Sequence, residues 1–320
     1  MTARVACIIV NYNCGDWIAR SLASIAAQTV APSRVIVMDN ASVDGSALRA
    51  QQSHPQFEFH FLKTNTGFAV ANNRAVAIAD DCEWIALVNP DACLAPDWLE
   101  KLLDASARHP DAASFASCLL MADAPERLDG AGDVMHVSGL VWRAGHGRMA
   151  SDSDGEKPVF SACAAAALYR RESFLAAGGF DESFFCYVED VDLGFRLRLA
   201  GESCWYIPSA HALHAGSVTS GGRRSGFSVF HGHRNRLWCV LKNMPASLLP
   251  AVLPAFLLAD FLMFLRLCGD GHGLEFLRAR LASLRAVPRV LHQRLQVQRQ
   301  CRVRPSEVWS WLDKRVIPSR

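Results

Sequence analysis

Glu189, Asp190 and Asp192 put three carboxylates within four positions, directly after the aromatic residues Phe184, Phe185 and Tyr187 and at the mouth of a pattern that reads as an amphipathic helix up to Gly201. At a helix N-terminus the unpaired N–H groups and the macrodipole favour ionised carboxylates, so one or two acids there would serve as simple caps. Three acids beside aromatic surface suggest the wall of a cleft. Partial desolvation raises the proton affinity of a carboxylate and suits it to act as a base.

A second group of polar residues sits where apolar runs stop: Asn11-Tyr12-Asn13, Asp39-Asn40, Asn65 and Asn89-Pro90-Asp91. The runs before them read as strands over Val5–Val10, Val35–Met38, Phe57–Leu62 and Trp84–Val88. Helical patterns over Asp16–Gln28 and Phe68–Ala79 alternate with these strands, which is the mark of βαβ units and a parallel sheet. Ligands of open parallel sheets bind beyond the C-terminal strand ends, so these residues are expected to line one crevice. Asp39 there can accept from a pyrimidine N3–H, and Asp91 can hold a divalent cation against a diphosphate. The same residue types also make ordinary strand-ending turns. From about residue 114 the pattern becomes mixed, with strand-like stretches over Val134–Arg143 and Val159–Arg170. After Phe227 it is almost wholly helical.

Composition narrows the classes. The chain has 320 residues, 51% of them hydrophobic, and a formal net charge of +2. That is enough to bury one large core or two modest ones. No secretory signal pattern opens the sequence. The 11 cysteines are scattered and never spaced C-x-x-C, which reads as reduced thiols in a cytosolic setting. Phosphate-loop, dinucleotide-binding, H-E-x-x-H and G-x-S-x-G patterns are all missing, which removes the enzymes built on those devices. Charge is unevenly placed: residues 266–320 carry 12 Lys and Arg against 4 Asp and Glu, so the chain before them is net acidic. The basic tail follows Ala246–Leu265, an apolar block whose only charge is Asp260. The pair reads as a membrane-surface anchor, with Pro250, Pro254 and Asp260 counting against a spanning helix. Nucleic acid is not an expected partner, because the tail has no recognisable binding motif.

An ordered set of motifs resembles the family-2 inverting glycosyltransferases of GT-A fold, in particular their bacterial rhamnosyltransferase-like branch. It comprises Ile9-Val10-Asn11-Tyr12-Asn13, then Val37 to Ser42 with Asp44-Gly45, and Asn65-Thr66-Gly67-Phe68 through Asn72-Asn73. Asn89-Pro90-Asp91 follows as a variant of D-x-D. Tyr169-Arg170-Arg171, Gly178 to Glu182, Glu189 to Leu193, His214 to Ser217 and Arg234-Asn235 complete it. The resemblance covers roughly residues 4–245. It implies an α/β fold with a mixed, mainly parallel sheet flanked by helices. Residues 1–226 would be catalytic, with a nucleotide-binding half to 113 and an acceptor half from 114. Residues 227–320 would be a helical, apolar then basic extension on the membrane.

The resemblance further implies transfer of one sugar, with inversion, from a nucleoside diphosphate such as dTDP-rhamnose or a UDP-sugar to a lipid-linked or cell-surface glycan. Asp190 would be the general base and Glu189 would orient the acceptor or cap the helix. Val10, Tyr12, Asp39, Asn40, Asn65, Gly67, Phe68, Asn73 and Asn89 would bind the nucleotide sugar. Asp91, with His214, would hold Mg2+ or Mn2+. Asp181, Glu182 and Arg234 would stand on the acceptor side or behind it, and Arg170-Arg171 are candidates for a phosphate on the acceptor. The enzyme would sit on the inner face of the plasma membrane. The alternatives are a vestigial nucleotide-sugar-binding or scaffold protein and a sugar nucleotidyltransferase, though Asn11–Asp16 lacks the basic, glycine-rich loop of the latter. Cys163 to Ala167 depart from the family's usual Gly-Ala, and the Q-x-x-R-W signature of processive synthases is missing, so one sugar per encounter is expected.

Overall fold

A computed structural model describes residues 3–152, 155–216 and 225–315; Ser217, the last residue of the histidine motif, lies outside them. The chain runs β1 (Val5–Asn11), α1 (Trp17–Ala26), β2 (Arg34–Asp39), α2 (Ser46–Ser53), β3 (Glu58–Phe61), α3 (Gly67–Ile78), β4 (Trp84–Val88), β5 (Ala92–Leu94), α4 (Trp98–Arg108) and β6 (Ala112–Met121). It continues through β7 (Leu128–Gly130), β8 (Asp133–Met135), β9 (Val141–Arg143), β10 (Lys157–Pro158), β11 (Ala166–Arg170), α5 (Arg171–Ala176), α6 (Glu189–Leu199) and β12 (Ser203–His214). Five helices end it: α7 (Gly226–Asn243), α8 (Leu249–Gly269), α9 (Gly273–Arg285), α10 (Val287–Arg299) and α11 (Pro305–Trp311).

The main sheet has the order β10-β12-β6-β11-β4-β1-β2-β3. Its first half is parallel, as β1 pairs with β2 and β4, and β2 with β3. β11 is inserted antiparallel between β4 and β6. The expected mixed α/β sheet is therefore present, and its direction changes at β11. Central β1 is buried on both faces: Ala6, Ile8 and Val10 enter one core cluster, while Val5, Cys7 and Ile9 enter the other. A continuous apolar run is what a parallel strand covered by helices on both sides requires.

Two stretches depart from the sequence expectation. Val134–Arg143 is a hairpin of β8 and β9, because Gly139 takes φ +68° and turns the chain midway. Val159–Arg170 becomes a strand only at Ala166. The longest strand, β12, lies parallel to β6 and ends at His214.

Helix α6 is packed on two sides. Leu193 and Leu197 join the sheet's core, whereas Val191, Phe195 and Leu199 join Trp238, Phe256, Val290 and Val308 from the C-terminal helices in a third cluster. Gly194 permits the close approach to the sheet, since a Cβ there would lie 2.3 Å from Ser161 Cβ. Buried Asp192 fixes the helix further, pairing with Arg196 four residues on and accepting from Lys242 Nζ at 2.9 Å and Asn243 Nδ2 at 2.8 Å. The helices after residue 226 thus share a core with the acidic helix.

Candidate active site

The C-terminal ends of β1, β2 and β4 open onto two adjoining chambers. The first has a volume of about 470 Å³ and takes in Val10, Tyr12, Asn40, Asn65, Gly67, Phe68, Asn89, Asp91 and His214 among its walls. The second, of about 540 Å³, is lined by Glu189 and Asp190, with Asp133 beside them. Phe68, Asn89, Arg143, Cys186 and Tyr187 belong to both, so the chambers meet across one shared partition. Asp91 and Asp190, 99 positions apart in numbering, face the two sides of that partition.

A cross-linked polar layer builds the floor of the first chamber. Asn40 Nδ2 donates to Asn65 Oδ1 at 3.0 Å and to the Gly67 carbonyl at 3.1 Å, while its Oδ1 accepts from Thr66 N–H at 2.8 Å. Gly67 is required here: its φ is +83°, and a Cβ would lie 2.6 Å from the Phe185 carbonyl oxygen. That carbonyl accepts from the N–H of Phe68 at 2.6 Å, which ties the start of α3 to the segment leading into α6.

Six residues named from the sequence as site or supporting candidates line neither chamber. Asp39 is 3% exposed, and its oxygens accept from Asn11 Nδ2 at 2.9 Å and Ser42 N–H at 3.0 Å. The carboxylate closes the β2 turn instead of facing the chamber. Asn73 exchanges hydrogen bonds with the backbone of Phe180, both at 2.9 Å. Asp181 accepts from Lys242 at 2.6 Å, and this charge holds its carboxyl down at about 2 although burial opposes it. Glu182 is exposed and accepts from Asn73 at 3.2 Å. Arg234 donates to the Phe184 carbonyl at 2.8 Å and lies over Trp238, so it holds a loop and does not reach the first chamber. Arg170, paired in register with Trp84 at the start of β4, stands at the far end of the sheet from the crevice.

The loop held by Arg234 carries the acids. Phe185, Tyr187 and Val188 have φ of +65°, +71° and +70°. Left-handed backbone is costly for residues with a β-carbon and most of all for a β-branched one, at roughly 1–3 kcal/mol each. Asn235, fully buried, restrains it: Nδ2 donates to the carbonyls of Phe184 at 2.9 Å, Cys186 at 2.9 Å and Tyr187 at 2.7 Å. The next residues are Glu189 and Asp190.

Asp190 is partly buried. It accepts from Val191 N–H at 2.8 Å and Ala164 N–H at 3.2 Å. Burial lifts its proton affinity above the usual range for Asp, although those hydrogen bonds and Arg143 oppose the rise. Glu189, 6% exposed, is raised well above its ordinary value by burial and by the charge of Asp190, and its Oε2 has no hydrogen-bond partner. Both acids are therefore lifted, and Glu189 is lifted further because it also feels the charge of Asp190.

Asp133 is a third acid of this chamber that the sequence reading did not single out. Burial and the Asp190 charge push it up to about 8, against a hydrogen bond from Ser161 Oγ of 2.8 Å. An unfolded Asp titrates near ~3.9. Between about pH 4 and pH 8 the folded chain therefore keeps a proton that the unfolded chain has lost, and stability falls as pH rises through that window. Asp133→Asn should flatten this fall, read as Tm across buffers from pH 5 to pH 8. An unchanged slope would remove Asp133 as its source.

Asp91 and His214 stand together in the first chamber, with Asp91 Oδ1 3.5 Å from His214 Nε2. His214 Nδ1 is 2.8 Å from Asp129 Oδ2, and Arg143 also pairs with Asp129. Burial disfavours the charged ring, but the bonds to Asp129 and Asp91 outweigh it and leave His214 above its ordinary value. Asp91 is held below the carboxylate range because its bond to His214 overcomes burial. Nδ1 donates to Asp129, so once Nε2 gives up its proton, as binding a cation requires, it would offer a lone pair beside Asp91, the arrangement that orients a metal-binding imidazole. The described residues hold no cluster of three or more His, Cys, Asp or Glu side chains fit for a metal. Two protein ligands are compatible with Mg2+ or Mn2+, which complete their shells with phosphate oxygens and water. Asp129 and Arg143 were not foreseen in the sequence; the turn pair Ser138-Gly139 was the available sign that this region folds back on itself.

Comparison with known proteins follows this geometry. The profile described as Glycosyl transferase family 2 matches residues 6–176. The chain is 33% identical over 245 residues to the N-acetylglucosaminyl-diphospho-decaprenol L-rhamnosyltransferase of Mycobacterium tuberculosis, covering 69% of this chain and 79% of the relative. Among solved structures it resembles GalNAc-T7 crystallised with UDP, GalNAc and Mn2+, at TM-score 0.60 and 13% identity over 75% of this chain. It also resembles S. aureus TarS, at TM-score 0.53 and 16% identity over 79% of this chain. The chain spans 48% and 43% of those two structures, respectively.

Proposed function

The chain belongs to Glycosyl transferase family 2, and from that premise we propose that it moves a single sugar, L-rhamnose from its dTDP donor as the leading choice, to a hydroxyl of a lipid-linked glycan with inversion. The fold is GT-A, with a helical C-terminal region. One observation carries the reading: a buried carboxylate–histidine pair and a base-competent carboxylate face the two sides of one partition. Donor and acceptor can then meet there, with the base on the side away from the leaving diphosphate.

In this mechanism Asn40, Asn65 and Gly67 build the donor floor, while Tyr12 and Phe68 offer aromatic surface to the nucleoside. Asp91 and His214 would hold the divalent cation, and Asp129 and Arg143 would fix the imidazole. When bound, the cation offsets charge on the departing diphosphate. Asp190 takes the proton from the acceptor hydroxyl as the C–O bond forms. Glu189 beside it orients the acceptor sugar by a hydrogen bond. Burial next to the Asn235-held loop raises the proton affinity of both acids.

The donor half before about residue 113 and the acceptor half after it then supply most of the first chamber and the acidic wall of the second, which α7 and α8 close from the other side. Residues 227–320 brace the acidic helix and attach the protein to the inner face of the membrane. Helix α8 supports attachment along a surface rather than across it. Val252, Phe256, Asp260 and Leu267 are buried along one side, while Leu257, Leu258, Phe261, Leu262 and Leu265 are exposed on the other. Leu274, Leu277, Leu281 and Leu284 of α9 and Leu291 and Leu295 of α10 are also exposed. Such one-sided helices with a surplus of arginine suit an anionic lipid surface.

A panel of dTDP-, UDP- and GDP-sugars, with and without Mg2+ or Mn2+, tests the reading on anionic vesicles carrying a polyprenyl-diphosphate sugar. Cation-dependent transfer from one donor, with the protein sedimenting with the vesicles, is expected. Neither transfer nor donor hydrolysis from any of them would overturn it.

A further inference from the structure

The second chamber has two unlike walls. One comes from the sheet and α6 and presents Asp133, Glu189 and Asp190; the other comes from α7 and α8 and presents His233, Arg236, Met263, Arg266, Leu267 and Asp270. The acids have a role in the mechanism above. The opposite wall has none, and its charges are not balanced.

Arg236 is 4% exposed, and its Nη2 lies 2.5 Å from Asp260 Oδ1. The same oxygen takes Arg280 Nη2 at 2.5 Å. One carboxylate therefore answers two guanidinium groups at the junction of α7, α8 and α9, which leaves a net positive charge next to the chamber. Burial lowers Arg236 to about 10, so it stays protonated at neutral pH. Arg236 Nε, Arg280 Nε and Arg280 Nη1 are buried without hydrogen-bond partners. His233 Nδ1 is likewise unpartnered, and burial with the neighbouring Arg236 and Arg280 pulls this imidazole down to about 3, so it is a neutral hydrogen-bonding group. At the edge of the wall Arg266 is exposed and pairs with no acid among the described residues. Buried donors and charges without partners are expensive and call for an explanation; here His233 and Arg236 line the chamber, with Arg280 behind them.

The α7–α8 wall also adjoins apolar surface. Met263 and Leu267, four residues apart, face the chamber together with Arg266 and Asp270, and the reverse side of α8 is the exposed leucine and phenylalanine face. A ligand spanning this chamber meets a proton acceptor on one wall, surplus positive charge on the other, and hydrocarbon around the helix edge. We propose that the α7–α8 wall is the subsite for the diphosphate of a lipid-linked acceptor, with Arg236 and Arg266 as its cationic contacts and His233 as a hydrogen-bonding contact. Arginine's forked donors suit diphosphate oxygens, and a hydrocarbon chain can leave past Met263 and Leu267. The inference rests on the transfer reading for the sugar's placement at Asp190, whereas the anion site stands on its own charges.

The test is calorimetric binding of farnesyl diphosphate to the full chain in neutral detergent, with farnesol and a saturating nucleoside diphosphate as comparators. Farnesyl diphosphate should bind at least ~10-fold more tightly than farnesol, and Arg266→Gln and Arg236→Lys should each weaken it by ~10-fold or more. The nucleoside diphosphate should not displace it. Displacement would assign the charges to the donor's diphosphate, and an unchanged affinity in both variants would remove these arginines from any subsite; either result overturns the proposal. Arg266 is exposed, so its variant keeps the test decisive if Arg236→Lys fails to fold. Arg266-dependent binding by a protein that transfers no sugar would sink the transfer reading and leave the subsite standing. Transfer to the lipid acceptor with an unchanged acceptor KM in Arg266→Gln would do the reverse.

Discussion

Asp190→Asn should reduce kcat by ~10²–10⁴, the usual worth of a positioned general base, which corresponds to about 3–5 kcal/mol of transition-state stabilisation. The substitution is nearly isosteric. Its one side-chain oxygen can still accept from the N–H of Val191, while the bond from Ala164 N–H to the second carboxylate oxygen is lost, so Tm and circular dichroism should accompany the kinetics to show that the start of α6 keeps its place. What disappears is the capacity to accept a proton. Glu189 is no ready substitute, because it lacks the hydrogen bonds from Ala164 and Val191 that place Asp190. Donor affinity should therefore stay within a factor of two or so of wild type, since the nucleotide chamber is untouched. The pH profile supplies a second readout. With its proton affinity raised, Asp190 gives wild type an acid limb in kcat/KM above the ordinary Asp range, with activity rising as pH rises through it; the variant should lack that limb. Full turnover by Asp190→Asn, or a loss confined to donor binding, would dismiss the assigned role.

The second large effect is expected far from any reacting atom. Asn235→Ala removes the donor to three carbonyls of the loop before Glu189, in a segment where three residues already hold left-handed backbone. Each carbonyl left buried without a partner costs about 1–3 kcal/mol. The loop can escape part of that cost by relaxing its φ angles, which would move Cys186 and Tyr187 out of the partition between the chambers. Displacement on the scale of an ångström is enough to cost ~10²-fold in rate. A lower Tm together with a kcat loss near that size is expected, measured on protein whose circular dichroism is unchanged below the transition. A lower Tm with full kcat would show that the strained conformation serves folding alone.

The sequence made the succession of strands and helices in the donor half readable because β1 and β4 are apolar runs that stop at Asn11 and Asn89, a contrast that survives without coordinates. It also showed that Asp190 opens a helix. Direction was not readable. A polar residue at a strand end can point into a crevice, as Asn40 and Asn65 do, or close its own turn, as Asp39 does, and the local pattern is the same in both cases. Asp129 was missed because it meets His214 only when β7 pairs with β6 and β6 with β12, and Asp133 and Arg143 because the β8–β9 hairpin must fold before they reach the chambers, contacts that join residues more than forty positions apart. Asn235 entered only as part of the Arg234-Asn235 motif, yet its partners are backbone carbonyls, which no side-chain pattern records. The block Ala246–Leu265 looked uniformly apolar. Its division into a packed side and an exposed side depends on where α7 and α9 lie, and that also accounts for the lone Asp260, which is neutralised by arginines from both of them.

The two-sided character of α8 has a kinetic consequence. On the proposed attachment by its outer leucines, the protein would meet the membrane-borne reactant by diffusion within a plane and the water-soluble one by diffusion in volume. Its turnover should then follow the mole fraction of acceptor in the bilayer, falling as inert phospholipid is added at constant bulk acceptor, while its response to the nucleotide sugar keeps to ordinary molar concentration.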